Sequence, residues 1–138
     1  MIWILQLLLA TLAIALAMSP VASSGSRVSR IEETNVNDKG VQQAMDFVLK
    51  FYNDKSDDLY ASQVVRVIHA KRQIVAGILY YLKIELGRTT CTKSQSDLSD
   101  CPFSEPPNLQ KKDVCDFQVH SIPLEQKFSV VNYSCHSA

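Results

Sequence analysis

The chain has 138 residues, 46% of them hydrophobic, with 14 basic and 14 acidic side chains that cancel to zero net charge. That is one domain's worth of chain, and its balanced charge excludes a nucleic-acid binder, which needs a basic footprint, as well as a polyanion-seeking or membrane-surface protein. The hydrophobic excess is concentrated in Met1–Ala22, with 18 hydrophobic residues and no charge; the remaining 116 residues are about 39% hydrophobic, an ordinary soluble composition.

The run from Ile2 to Met18, broken only by Gln6 and Thr11, leads into Ser19, Pro20 and a stretch of small residues ending at Ser26. It reads as a secretory signal peptide over residues 1–22, cut between Ala17 and Ser26, although only the terminal amine supplies positive charge ahead of the core. About 18 apolar residues is the lower limit for a membrane span, so an uncleaved anchor is the competing reading. Cleavage leaves residues 23–138 as a single extracellular domain with no membrane contact. Residues 23–37 are polar and read as a mobile N-terminal arm.

An amphipathic helix follows: Val41, Ala44, Met45, Val48, Leu49 and Tyr52 recur with helical spacing, and Phe47 and Phe51 widen the stripe. Asn37 or Asp38 can cap its start, and the polar segment Asn53–Asp58 reads as the turn that ends it. The period then changes to two. Val64 to Ala70 is apolar on both sides of a strand, and Ile78, Tyr80, Leu82, Ile84 and Leu86 share one face of the next, opposite Leu79, Tyr81, Lys83 and Glu85. Gln73–Gly77 joins these two strands as a hairpin, with Gly77 free to take a positive φ. A proline-rich loop, Cys91–Pro107, precedes a second strand pair, Cys115–Ile122 and Lys127–Cys135, with a turn at Pro123–Gln126. The predicted fold is α+β: one long helix on a four- to five-stranded antiparallel sheet, the fifth strand coming from the arm.

Cys91, Cys101, Cys115 and Cys135 form an even set behind a leader, which implies oxidised pairs with three connectivities open; sequential pairing is the local solution. No Cys-x-x-Cys spacing supports a zinc or redox centre, so no metal or cofactor is expected. Oxidised cysteines also remove the nucleophile for Cys-His catalysis. His69, His120 and His136 are spread over strands and tail, Asp57-Asp58 sits in a polar turn, and no phosphate loop is present, so no catalytic residue is assigned. The basic group Arg66, His69, Lys71 and Arg72 reads as a solvated sheet face. Asn132-Tyr133-Ser134 is a candidate N-glycosylation site at Asn132. The uncommon feature is apolar chemistry at two hairpin tips, Ile74-Val75 and Leu124, on the same end of the sheet.

These residues resemble the type 2, secreted cystatins, inhibitors of papain-like cysteine peptidases. The resemblance rests on Gln73-Ile74-Val75-Ala76-Gly77, on Glu85-Leu86-Gly87-Arg88-Thr89-Thr90-Cys91-Thr92-Lys93, on Cys101-Pro102-Phe103 and on the order of all four cysteines. It implies a cystatin-like fold over 23–138, the disulfides Cys91–Cys101 and Cys115–Cys135, and a wedge of three elements that occludes the active-site cleft of a cathepsin-type peptidase. The implied peptidase-binding residues are Val28 and Ser29 in the arm, Gln73, Ile74, Val75, Ala76 and Gly77 in the first loop, and Pro123 and Leu124 in the second. Three positions depart from the family pattern, and the first two predict weakened inhibition. Leu124 stands where the family usually has Trp, Ser29 where inhibitory members have Gly, and Asp57 where an Asn engages legumain, so legumain is not an expected partner. The alternative these departures leave open is a non-inhibitory secreted interaction protein on the same fold, of the kind associated with the reproductive tract. The resemblance leads us to expect a monomer, with a domain-swapped dimer reachable by opening the first hairpin.

Overall fold

The structure, a computed structural model, describes residues 29–138; the leader, its cut site and Val28 lie outside the described residues. In chain order come β1 (Glu32–Glu33), α1 (Lys39–Lys55), β2 (Tyr60–Val75), β3 (Gly77–Thr92), β4 (Lys112–Ile122), a 3-10 turn at Pro123–Glu125 and β5 (Lys127–Ser137). The strands form one antiparallel sheet in the order β1-β2-β3-β4-β5, and α1 lies on one face of it.

Asp38 caps the helix: its carboxylate accepts the Val41 N–H at 3.2 Å, satisfying one of the donors left free in the first turn. Val41, Ala44 and Val48 from the predicted stripe are fully buried, facing Leu82, Ile84 and Leu86 of β3 and Phe117 and Val119 of β4. The helix extends through Asn53 to Lys55, beyond the end predicted from the turn-prone residues. The reason is tertiary. Asn53 exchanges two hydrogen bonds with Ser62 of β2, donating to its carbonyl at 3.1 Å and accepting its N–H at 2.8 Å. A residue that locally favours a turn is thereby held in the last helical turn.

Strand β3 shows the predicted alternation, with Tyr80, Leu82, Ile84 and Leu86 buried against the helix. Strand β2 pairs with it irregularly, with register shifts between Val64 and Arg66 and between Val67 and His69. Each shift rephases the side chains, which is why β2 reads as apolar on both sides. Glu85, predicted on the outer face, is buried; its carboxylate accepts from Arg66 Nε at 2.7 Å, so one member of the basic group neutralises a charge that burial would otherwise penalise.

The arm is not wholly free, as its polarity suggested. Glu32 and Glu33 lie opposite Arg72 and Lys71, and the Thr34 N–H donates to the Ala70 carbonyl at 3.0 Å. Opposite charges directly across a strand pair favour this short fifth strand. The four cysteines form Cys91–Cys101 and Cys115–Cys135. The first closes the proline-rich loop, and the second joins β4 to the edge strand β5. At that end Phe51 packs edge-on against both Phe117 and Tyr133, with ring centroids 6.3 and 5.0 Å apart.

Candidate functional site

Antiparallel register brings the turn that opens β3 beside the turn that closes β4: Ile78 pairs with Ser121, two residues before Pro123. On its other side, β1 places the arm against the last part of β2. Arm, first loop and second loop therefore share one end of the sheet, although Ser29, Gln73 and Pro123 are far apart in sequence.

The first loop is a very tight hairpin in which Val75 pairs with Gly77 and only Ala76 stands between the strands. Gly77 has φ +87°, the left-handed region that a side chain resists, and a Cβ there would lie 2.4 Å from the Ser121 carbonyl oxygen. Both constraints require glycine. Ile74 and Val75 are 55% and 42% exposed, so they do not fold back onto the core. In the second loop Pro123 opens a 3-10 turn, Gln126 takes φ 49° and donates to the Pro123 carbonyl at 3.1 Å, and Leu124 is left fully exposed. The loop tips thus present aliphatic side chains to solvent.

Gln73 behaves differently from its neighbours. Its amide Nε2 donates to the Ser29 carbonyl at 2.9 Å, and its Oε1 accepts from the Tyr81 hydroxyl at 3.0 Å. On the opposite side of the loop, His120 Nε2 approaches the Ala76 carbonyl oxygen at 2.5 Å. Since a carbonyl only accepts, that ring nitrogen carries the proton. Tyr81 and His120 are absent from the sequence-derived set. His120 reads there as an ordinary strand residue and Tyr81 as an outer-face residue. Nothing in their spacing marks them, because cross-strand register alone brings them to the loop.

Asp57 is exposed beyond the C-terminus of α1, near Lys111 and Cys135, at the end of the molecule away from the three loops. Beside it, Asp58 accepts from Arg88 Nε at 2.7 Å. Partial burial opposes ionisation of Asp58, but the Tyr60 N–H and the Arg88 guanidinium prevail and hold its carboxyl below the usual carboxylate range. Burial, followed by the 2.6 Å hydrogen bond that Tyr52 donates to Asp113, pushes the Tyr52 hydroxyl well above its ordinary pKa. This end is polar and tied together. Among the described residues, no three His, Cys, Asp or Glu side chains are grouped to hold a metal ion.

Comparison with known proteins agrees with this geometry. The family model of the cystatin domain matches residues 29–124, from Ser29 of the arm to Leu124 of the second loop. Mouse cystatin-C is 44% identical over 135 residues, covering 97% of this chain and 95% of its own; human cystatin-SA is 46% identical over 134 residues, with the same coverage. Among solved structures, dimeric human cystatin F superposes with a TM-score of 0.75 at 32% identity, over 88% of this chain and 97% of that one. Among the described residues, one α-helix on a five-stranded antiparallel sheet, the disulfides Cys91–Cys101 and Cys115–Cys135 and this extent of shared sequence lead to one assignment. The chain belongs to the cystatin family, a family of protease inhibitors and not of enzymes.

Proposed function

We propose that this protein is a secreted, reversible inhibitor of papain-like, cathepsin-type cysteine peptidases that acts by occluding the active-site cleft, with reduced potency. The supporting observation is the intact first loop, exposed and apolar, beside the second loop and the arm on one sheet end. Such a wedge fills a cleft without presenting a scissile bond in attack geometry, and its rigidity limits the ordering cost of binding. Its contact residues are Val28, Ser29, Gln73, Ile74, Val75, Ala76, Gly77, Pro123 and Leu124. Net charge is zero, so the apolar tips supply the attraction rather than long-range steering. Legumain is not a target, since Asp57 lacks the amide donors of the Asn it replaces.

Titration of the purified protein against a papain-like peptidase tests the proposal. Measurable reversible inhibition in the micromolar range or below supports it, and none at high micromolar concentration sinks it. A second reading, a non-inhibitory interaction protein on the same fold, is favoured by Leu124 and Ser29, which each remove a family contact. A low-nanomolar inhibition constant for the unmodified protein would dispose of that reading.

We also propose Asn132, in Asn132-Tyr133-Ser134, as an N-glycan acceptor of the secreted protein. This side chain is exposed on edge strand β5, opposite Gln118. Digestion with an amidase specific for N-glycans should lower the apparent mass of the protein from a mammalian secretory system, and Asn132→Gln should abolish that shift. We expect a monomer on size-exclusion chromatography, with a domain-swapped dimer as the state reached by opening the first hairpin.

A further inference from the structure

We propose that Tyr81 and His120 are positioning residues that lock the arm and both loops into one rigid wedge. The proposal rests on the inhibitor reading for its consequence, but not for its geometry. Backbone pairing holds the first loop up to Val75 and Gly77, but core packing adds little to it. Ile74 and Val75 are exposed, so their side chains add little core packing to the tip, and a single residue links the two strands. Side-chain hydrogen bonds that reach such a tip from neighbouring strands add to the order that the ladder gives it.

Two side chains supply such bonds from separate strands. On β3, the Tyr81 hydroxyl donates to Gln73 Oε1 at 3.0 Å, which orients the amide so that its Nε2 faces the Ser29 carbonyl at 2.9 Å. The order Tyr81, Gln73, Ser29 thus links β3, the first loop and the arm in a single relay. Without the hydroxyl, the amide loses the contact that fixes which of its ends faces Ser29. On β4, His120 donates from Nε2 to the Ala76 carbonyl at 2.5 Å, and it stands three residues before Pro123. Its ring is so close that a Cβ on Gly77 would lie 3.0 Å from Nε2. His120 therefore couples the tip of the first loop to the strand that carries the second. The Tyr81–Gln73 bond is partly buried, where it competes less with water than the exposed His120–Ala76 bond does.

Three variants test the assignment in the otherwise unmodified secreted protein. Tyr81→Phe removes only the hydroxyl. His120→Met keeps length but loses the donor, and His120→Gln restores an N–H at similar reach. Hydrogen exchange of backbone amides 29–30 and 73–77 should accelerate about three- to tenfold in Tyr81→Phe, and that of 75–77 should do so in His120→Met, with His120→Gln near the original rate. Dissociation from a papain-like peptidase should quicken by a similar factor while association changes little. Unchanged exchange in both loss variants overturns the proposal, as does His120→Gln exchanging as fast as His120→Met. Faster exchange with unaltered dissociation also overturns it. Failure of the parent protein to inhibit at all sinks the inhibitor reading alone; the exchange rates then still decide whether these two side chains hold the edge.

Discussion

On the proposed inhibitor reading, two single residues, Gly77 and Leu124, bear most directly on binding. At Gly77 the backbone has φ +87° and any Cβ meets the Ser121 carbonyl at 2.4 Å, so Gly77→Ala strains the loop and pushes it from β4. Strain of this kind costs on the order of 1–3 kcal/mol, and the peptidase inhibition constant should rise at least tenfold, because the displaced tip no longer matches the cleft. An inhibition titration with a thermal unfolding control checks this. Leu124 is the opposite case. It touches nothing in the free protein, being fully exposed, so its substitution should leave stability unchanged. Leu124→Trp adds an aromatic anchor of the size that dominates interfaces and should tighten binding about ten- to a hundredfold, roughly 1–3 kcal/mol. No change in the inhibition constant would mean that the second loop does not enter the cleft.

The elements are joined at the end remote from the wedge by polar contacts. The Asp58–Arg88 pair fastens the turn between α1 and β2 to β3, and Arg88 also donates to the Leu109 carbonyl at 2.9 Å. Because the folded-state pKa of Asp58 is depressed, its stabilisation is fully present above the unfolded value of about 3.9 and is lost as pH falls through the lower folded value. Asp58→Asn should therefore cost about 1–3 kcal/mol at pH 7, where Arg88 loses its charged partner. Urea unfolding should show that gap narrowing below about pH 4, as the parent carboxylate is itself protonated. A gap of constant size across that range would assign the effect to packing instead.

The whole molecule combines a dense helix–sheet core with a thinly held outer edge. Strand β5 is exposed from Val131 onward, and Phe128 and Val130 are its core-facing apolar residues together with the half-exposed Tyr133. The Cys115–Cys135 bridge, with a separation of 20 residues, ties this edge to β4. Replacing both cysteines by alanine should cost about 3 kcal/mol by freeing the unfolded chain, and should lower the unfolding temperature. The wedge lies at the other end of β4, so inhibition measured well below that temperature should change little. A large loss of inhibition at full folding would show that the edge strand and the wedge are more strongly coupled than the strand register implies.

Much of this architecture was legible in the chain alone. The α1 stripe, the β3 alternation and the turn residues report burial that depends on periodicity, and periodicity is local. The first-loop motif was equally legible, because Gly77 meets a backbone requirement that lies within the hairpin. Where reading failed, the deciding interaction came from elsewhere in the chain. Asn53 stayed helical because of Ser62, β2 lost its alternation through bulges set by its pairing with β3, and Glu85 was buried because Arg66 could neutralise it. Tyr81 and His120 reach the first loop only through cross-strand register, 8 and 44 residues from Gln73 and Ala76 respectively. The sequence by itself determined the element order and the apolar character of the two tips, Leu124 included. The tertiary structure alone decided which distant polar groups meet, since hydrogen bonds need a partner at a specific distance and angle, while burial needs only an apolar face.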